Sequence, residues 1–286
     1  MANTVEDHTN QASRPTISRA LFVRNLIAAS GGMVLLGSLT PAQAKEAHDT
    51  TKRSTKELGL ITDIVYYQGV DGYIKCFMAR PDHDKPLPGL MLIHENRGLN
   101  NHTEDMAKRT AMEGYHVIAP DALSPVGGTL EELDENRNAL KNLDAHKNLE
   151  NFKRGLRYLN GLELTTEKCG VMGFSWGAGI VNQLVVKSAF LNAAVAYYGT
   201  LTPIEEVEDI NVPVFYHLAE LDQNTNVGLD RFLIRLLNHQ KEFDVAMHEG
   251  VDHYFNNPLY EKRYNKKVAQ KAWKQSIEFL NKFLVE

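Results

Sequence analysis

Residues 168–187, KCGVMGFSWGAGIVNQLVVK, leave little freedom of local structure. The apolar run 169–174 reads as a buried strand, and 180–186 is apolar enough for a helix face. Between them stands Gly173-Phe174-Ser175-Trp176-Gly177, a G-x-S-x-G. A sharp strand-to-helix turn holds its central residue in a strained backbone geometry, so glycine is needed on either side where a Cβ would clash. The turn lifts Ser175 Oγ above the sheet edge. It also sets the N–H of Trp176 at the start of a helix, where amides are unpaired and the helix dipole favours negative charge. The five letters alone are a common chance match; the strand before and the helix after make them a nucleophile elbow. Gly173, Gly177 and Gly179 do not fit G-x-G-x-x-G, and no G-x-x-x-x-G-K-[ST] occurs, so neither phosphate-cradling loop is present.

The rest of the chain alternates strand-like and helix-like runs. Two β-rich runs, 61–68 and 73–80, flank Gly69-Val70-Asp71-Gly72 and predict an antiparallel hairpin. Buried strands are expected at 89–94, 115–119, 169–174, 192–198, 213–218 and 243–247. Helices are expected at 103–113, over 130–160 in two pieces, after Ser175, at 227–238 and at 265–284. Leu229, Phe232, Leu233, Leu236 and Leu237 form the expected inner face of the 227–238 helix. Such alternation argues for an α/β fold: a mostly parallel central sheet, an N-terminal antiparallel hairpin, and helices on both faces. No internal repeat or low-complexity segment is visible.

The 286 residues suffice for one large α/β domain, and 43% hydrophobic with 23% charged residues is ordinary globular composition. The net charge of −5 and the absence of a dense Lys/Arg stripe exclude a nucleic-acid surface. Acidic runs such as Glu131-Glu132-Leu133-Asp134-Glu135 read as solvated helix faces. Cys76 and Cys169 cannot build a disulfide framework, and the sequence leaves open whether they pair. Residues 1–24 are polar and carry Arg14, Arg19 and Arg24; a modestly apolar stretch, 26–39, and Ala42-Gln43-Ala44 follow. This is the pattern of an export signal, 1–44, of degenerate twin-arginine type with cleavage after Ala44. The apolar stretch is too short for a spanning helix, which needs about 20 residues, so no stable membrane span is expected after processing. Residues 45–60 read as a flexible linker and 61–286 as the folded domain, exported to a periplasm.

A serine hydroxyl needs a base to take its proton, and the base needs an orienting carboxylate. In the α/β-hydrolase fold these follow in the order Ser, Asp/Glu, His. Asp222 and His253 fill the two later places, each just after a strand and so at the carboxyl edge of the sheet beside Ser175. Glu220 competes with Asp222. Asp252 points away if His253 points in, while His248 and His217 read as strand histidines. His248 to His253 is one residue too long for an i, i+4 zinc pair, and His94 and His102 lack metal spacing, so no metal and no cofactor are expected. The backbone N–H of Asn96, after the 89–94 strand, is the expected second oxyanion donor beside that of Trp176.

Taken together, His94-Glu95-Asn96-Arg97-Gly98-Leu99-Asn100, Gly114-Tyr115, Ala119-Pro120-Asp121, residues 170–179, Ala219-Glu220-Leu221-Asp222 and His253 with Phe255 resemble the dienelactone hydrolase family. The resemblance spans residues 61–284. It implies the α/β-hydrolase fold, cleavage of an ester or lactone of a small molecule, and Ser175, Asp222 and His253 as the triad. Members typically carry cysteine where this chain has Ser175, restrained by a glutamate matching Glu95. With serine in place, Glu95 binds substrate, assists water or braces its loop. Tyr254 replaces a residue that is usually glycine. The family's substrate-carboxylate arginines have no clear counterpart except Arg97, which either reaches the pocket mouth or makes a salt bridge holding its loop. The resemblance leaves two rivals: a broader carboxylesterase or acyl-transfer enzyme on linear esters, and a non-catalytic binding protein on the same fold.

Overall fold

The computed structural model describes residues 55–57 and 59–286. The expected export signal, 1–44, lies outside the described residues, as does most of the expected linker. Among these residues nine strands form one sheet: β1 (Thr55–Glu57), β2 (Leu60–Gln68), β3 (Tyr73–Pro81), β4 (Leu87–Ile93), β5 (His116–Pro120), β6 (Thr165–Phe174), β7 (Ala193–Tyr197), β8 (Val214–Ala219) and β9 (Phe243–His248). Their spatial order is β1-β2-β3-β5-β4-β6-β7-β8-β9. The first three pair antiparallel, β3 runs antiparallel to β5, and every pair from β5 to β9 is parallel. The expected hairpin is present, with Gln68 opposite Tyr73. Its tip is tied down by Gly69 N–H to Gly72 O at 2.7 Å and by the Asn151 side chain, which accepts from Val70 N–H at 2.7 Å.

Thr55–Glu57, read from sequence as linker, pairs with Leu60–Thr62 as an edge strand. An edge strand can be held by backbone bonds alone, so its polar sequence carries no apolar alternation to reveal it.

Among the described residues, six α-helices cover the sheet: α1 (Asn101–Met112), α2 (Leu133–Lys141), α3 (Ala145–Asn160), α4 (Trp176–Lys187), α5 (Leu229–Asn238) and α6 (Lys266–Leu284). Three start where a side chain accepts an otherwise unpaired N–H: Asn100 from Thr103, Asp144 from Lys147 and Asn265 from Val268. The strands' period of two divides the core. Leu90 and Leu92 of β4 join Met172 and Phe174 of β6 against α1 and α6, through Met106, Trp273 and Leu280. Met91, Ile93 and Val171 face the other way, against Phe152 and Leu156 of α3, Val181 and Leu184 of α4, and Phe232 and Leu236 of α5. Burial on both faces explains why the parallel strands read as continuous apolar runs. On α5, Leu237 departs from the expected inner face and is 65% exposed. It stands about 100° around the helix from Leu236, beyond the rim of the layer that buries Phe232 and Leu236. Cys76 and Cys169 are both buried and unpaired.

The chain leaves β4 for β5 on one side and returns through α3 to β6 on the other. That reversal opens a crevice at the carboxyl ends of β4 and β6, the place where open α/β sheets bind ligands.

Candidate functional site

Ser175 sits between the last residue of β6 and the first of α4, with φ 51° and ψ −114°. Few non-glycine residues adopt a positive φ, and it persists here because the surroundings over-determine it. Ser175 N–H donates to Tyr197 O of the neighbouring strand at 2.9 Å. A Cβ on Gly177 would stand 2.5 Å from the carbonyl oxygens of Ile93 and His94, and one on Gly173 would stand 2.6 Å from Gly177 O. The two glycines thus let α4 start directly against the end of β4, as the motif requires.

The loop after β9 brings His253 to the serine. Ser175 Oγ lies 2.7 Å from His253 Nε2, and His253 Nδ1 lies 2.5 Å from Asp222 Oδ2. An ionised carboxylate only accepts, so Nδ1 carries the proton and Nε2 is left to accept from the serine hydroxyl. Asp222 is buried, which by itself raises a carboxyl pKa; hydrogen bonds from Thr225 and His253 outweigh burial and hold it below the ordinary value. The competing groups are engaged elsewhere. Glu220 accepts from Gly250 N–H at 2.8 Å, and Asp252 accepts from His253 N–H and faces Arg263 at 3.5 Å. His217 is fully buried and bonds Ser276 and His248.

Glu95 and Asn96 follow β4 on the opposite wall. Glu95 is buried and accepts from Tyr198 OH at 3.1 Å and from Asn257 Nδ2 at 2.6 Å. Burial raises its pKa from 4.5 to about 7, against the opposing pull of those two bonds and of Arg97. Asn96 lines the same cavity of about 260 Å³ as Ser175, Trp176 and His253. Its side chain is held between two tyrosines: Nδ2 donates to Tyr254 OH at 2.8 Å, and Oδ1 accepts from Tyr260 OH at 3.4 Å. The indole of Trp176 stacks on His94, ring centroids 5.3 Å apart and nearly parallel. His94 is itself fixed, Nδ1 donating to Glu95 O at 2.6 Å and Nε2 accepting from Ala122 N–H at 3.2 Å. Arg97 pairs with Asp134 at 3.7 Å and lies over the Tyr260 ring, contacts of the kind the loop-holding reading expects.

Four further residues at the site are not singled out by the sequence. Tyr198 lines the cavity with φ 38°, its ring 4.9 Å from that of His253. Thr225 donates N–H to Asp222 at 3.1 Å. Asn257, four residues past His253, holds Glu95. Arg137 brings a cation to the cavity from α2.

A family model described as "Dienelactone hydrolase family" matches residues 74–284. Among curated proteins, "Protein usf" of Aquifex pyrophilus is 30% identical over 214 residues, 69% of this chain and 89% of that one. A Bradyrhizobium sp. protein named "Probable 2-oxo-3-(5-oxofuran-2-ylidene)propanoate lactonase" is 24% identical over 71% of this chain and 87% of its own. Among solved structures, the "Dienelactone Hydrolase-like Promiscuous Phosphotriesterase P91" from metagenomic libraries superposes with a TM-score of 0.70, covering 79% of this chain and 99% of that one at 17% identity, which speaks to the fold. The family match covers the whole sheet from β3 onward and every residue of the Ser175 cavity, and this chain belongs to the dienelactone hydrolase family.

Proposed function

We propose that this protein is a serine hydrolase that cleaves a small-molecule carboxylic ester or lactone through an acyl-enzyme. Membership of the family sets the reaction class at ester or lactone bonds. The observation that carries the serine mechanism is the unbroken chain from Ser175 Oγ through His253 to Asp222, at 2.7 and 2.5 Å. Ser175 attacks the carbonyl carbon while His253 Nε2 takes its proton. Asp222 holds the imidazole in the productive tautomer and stabilises its charged form. The carbonyl oxygen, now an anion, meets the N–H groups of Trp176 and Asn96; losing one such donor typically raises the barrier by about 2.7–4 kcal/mol. His253 then protonates the leaving alkoxide, and water activated by the same nitrogen releases the acyl group. In a lactone the leaving alkoxide stays tethered to the acyl group, so hydrolysis yields one hydroxy acid.

The test is Ser175→Ala, assayed on 4-nitrophenyl acetate, with a fluorophosphonate probe and mass spectrometry on the unmodified protein. Turnover should fall to background and the probe should label Ser175. Full turnover in the variant removes Ser175 from this role, and absence of labelling in active protein does the same. Export is part of the proposal. The Arg-bearing start, the short apolar stretch and Ala42-Gln43-Ala44 support it. A mature N-terminus at Lys45 in the periplasmic fraction is the expected result; an unprocessed chain in the cytoplasmic fraction contradicts it.

A further inference from the structure

β9 ends the sheet on one side, and among the described residues no strand pairs with its outer edge. Its register with β8 is unbroken from Val214 opposite Phe243 to Ala219 opposite His248. Val214 N–H donates to Glu242 O at 3.2 Å, and Glu220 N–H donates to His248 O at 3.0 Å. The even-numbered residues of β9 therefore bond inward to β8. Phe243, Val245 and Met247 turn their N–H and C=O groups outward. Open edges of this kind are usually blunted by Lys, Pro or a bulge. The strand sequence FDVAMH contains neither residue, and its ladder shows no bulge.

The side chains of these outward-bonding residues share one face of the sheet. Phe243 and Val245 pack into the layer that holds Phe232 and Leu236 of α5. Met247, two residues on, is on the same face and is 43% exposed. The last turn of α5 meets the foot of β9, where Gln240 and Lys241 donate N–H to Leu237 O and Leu236 O. The exposed Leu237 thus lies close to the open edge. Opposite charges bracket the strand, Lys241 before it and Glu249 after. Neither has an ion-pair partner among the described residues; Lys241 Nζ reaches a backbone carbonyl, Glu208 O, at 2.6 Å.

We propose that β9 is a self-association edge, paired antiparallel with β9 of a second copy about a two-fold axis through Val245. Val245 then faces its own copy, Phe243 faces Met247 across the axis, and Lys241 faces Glu249. All three outward residues gain their missing hydrogen bonds, the apolar side chains meet apolar ones, and each lysine meets a glutamate. Moving the axis to Asp244 sets that carboxylate directly against itself. Moving it to Ala246 sets Phe243 against Glu249 and Lys241 against Val251. The register about Val245 is the complementary one; its cost is Asp244, which lies diagonal to its own copy. Such a contact closes on two copies, since each uses the same edge. The axis is normal to the sheet, so the two α5 helices flank the seam on one face. The strands run oppositely, so the two Ser175 crevices open at opposite ends of the joined sheet and neither covers the other.

Sedimentation velocity across a wide range of protein concentration should show a monomer–dimer equilibrium with nothing larger. Val245→Pro removes an N–H that β8 does not use, so the fold should survive while the dissociation constant rises about tenfold or more. Met247→Lys, at an exposed position, should weaken the dimer likewise and stands in if the proline disturbs folding. Glu249→Lys should also weaken it, and adding Lys241→Glu should restore it. Val245→Cys should give a disulfide-linked dimer on oxidation, because the Cα atoms of a hydrogen-bonded antiparallel pair lie about 5.5 Å apart, within disulfide reach. Ala246→Cys should not, and the two native cysteines are buried. A protein that stays monomeric throughout overturns the proposal. So does a dimer that Val245→Pro and Met247→Lys leave equally tight, which must form elsewhere. Cross-linking through Ala246→Cys in place of Val245→Cys overturns the register, and species larger than a dimer overturn the two-fold closure.

Discussion

Replacing Glu95 by glutamine should make the protein more stable at neutral pH and change how stability depends on pH. Glu95 is buried, and its pKa rises from 4.5 to about 7 on folding. Between those values the unfolded chain has lost the proton and the folded chain keeps it. The folded state binds more protons, so stability falls as pH rises from about 4.5 to about 7 and is level on either side. That span corresponds to about 3 kcal/mol, an upper figure, since partial relaxation around the carboxylate reduces it. Glutamine preserves the contacts: its oxygen accepts from Asn257 Nδ2, and its amide donates to the hydroxyl of Tyr198, which is free to turn. Thermal unfolding of both proteins from pH 4 to pH 8 reads the effect. The two melting curves should coincide near pH 4 and separate by several degrees by pH 8, the glutamine form melting higher, since for a domain of this size each kcal/mol moves Tm by about 2–4 °C. A separation that stays constant across the range would show that Glu95 does not carry its proton into the neutral region, and the assignment of a neutral carboxyl beside the triad would fail.

Asp222→Asn should lower kcat by about 10³–10⁴-fold with the fold intact, because an amide at that position no longer enforces the Nδ1–H tautomer; a loss under tenfold would show that another group orients His253. Gly177→Ala places a methyl 2.5 Å from two backbone oxygens at the end of β4, and should cost about 1–3 kcal/mol or prevent folding, read by thermal melting. Unchanged melting would mean that α4 does not start against β4 as described. Tyr254→Phe removes the acceptor of the Asn96 side chain and should lower kcat about three- to tenfold with KM nearly unchanged, the mark of a disturbed oxyanion donor. A rise in KM alone would make Tyr254 a pocket wall and nothing more.

Much of this site is legible in the sequence because its geometry is local. The strand, the strained serine and the helix are consecutive, and Asp222 and His253 each follow a strand whose apolar run is unmistakable. Once parallel strands are inferred, their carboxyl ends must share an edge. What escapes is whatever depends on how distant segments pack. Arg137 lies on α2, whose acidic start reads as a solvated face; its approach to the cavity is set by how the β5-to-β6 connection folds over the rim. Tyr198 and Asn257 acquire a role only when β7 and the His253 loop close on Glu95. Glu95 itself is conspicuous after a buried strand, but its protonation is a consequence of burial and cannot be read from its neighbours in sequence. Leu237 errs for a similar reason: periodicity gives a helix's apolar side, and the width of the partner layer decides how much of that side is covered.

The two carboxyls of the site are pushed apart by their settings. Asp222 and Glu95 are both buried, and burial alone would raise both. Asp222 has a backbone N–H, the Thr225 side chain and an imidazole to answer its charge, and it stays ionised. Glu95 has one phenol and one amide, and burial outweighs them, raising its pKa to about 7. A full negative charge at Glu95 would compete with Asp222 for the imidazolium and oppose an oxyanion at the proposed Asn96 donor. Protonation of Glu95 lessens both penalties while leaving the side chain between Tyr198 and Asn257. Tyr198 connects the two walls, with its hydroxyl on Glu95 and its ring against His253. Where the family resemblance implies a glutamate that restrains a thiolate, the serine in this chain leaves no thiolate to restrain. The buried carboxyl accepts from Tyr198 and Asn257, and its raised pKa is the consequence of that burial.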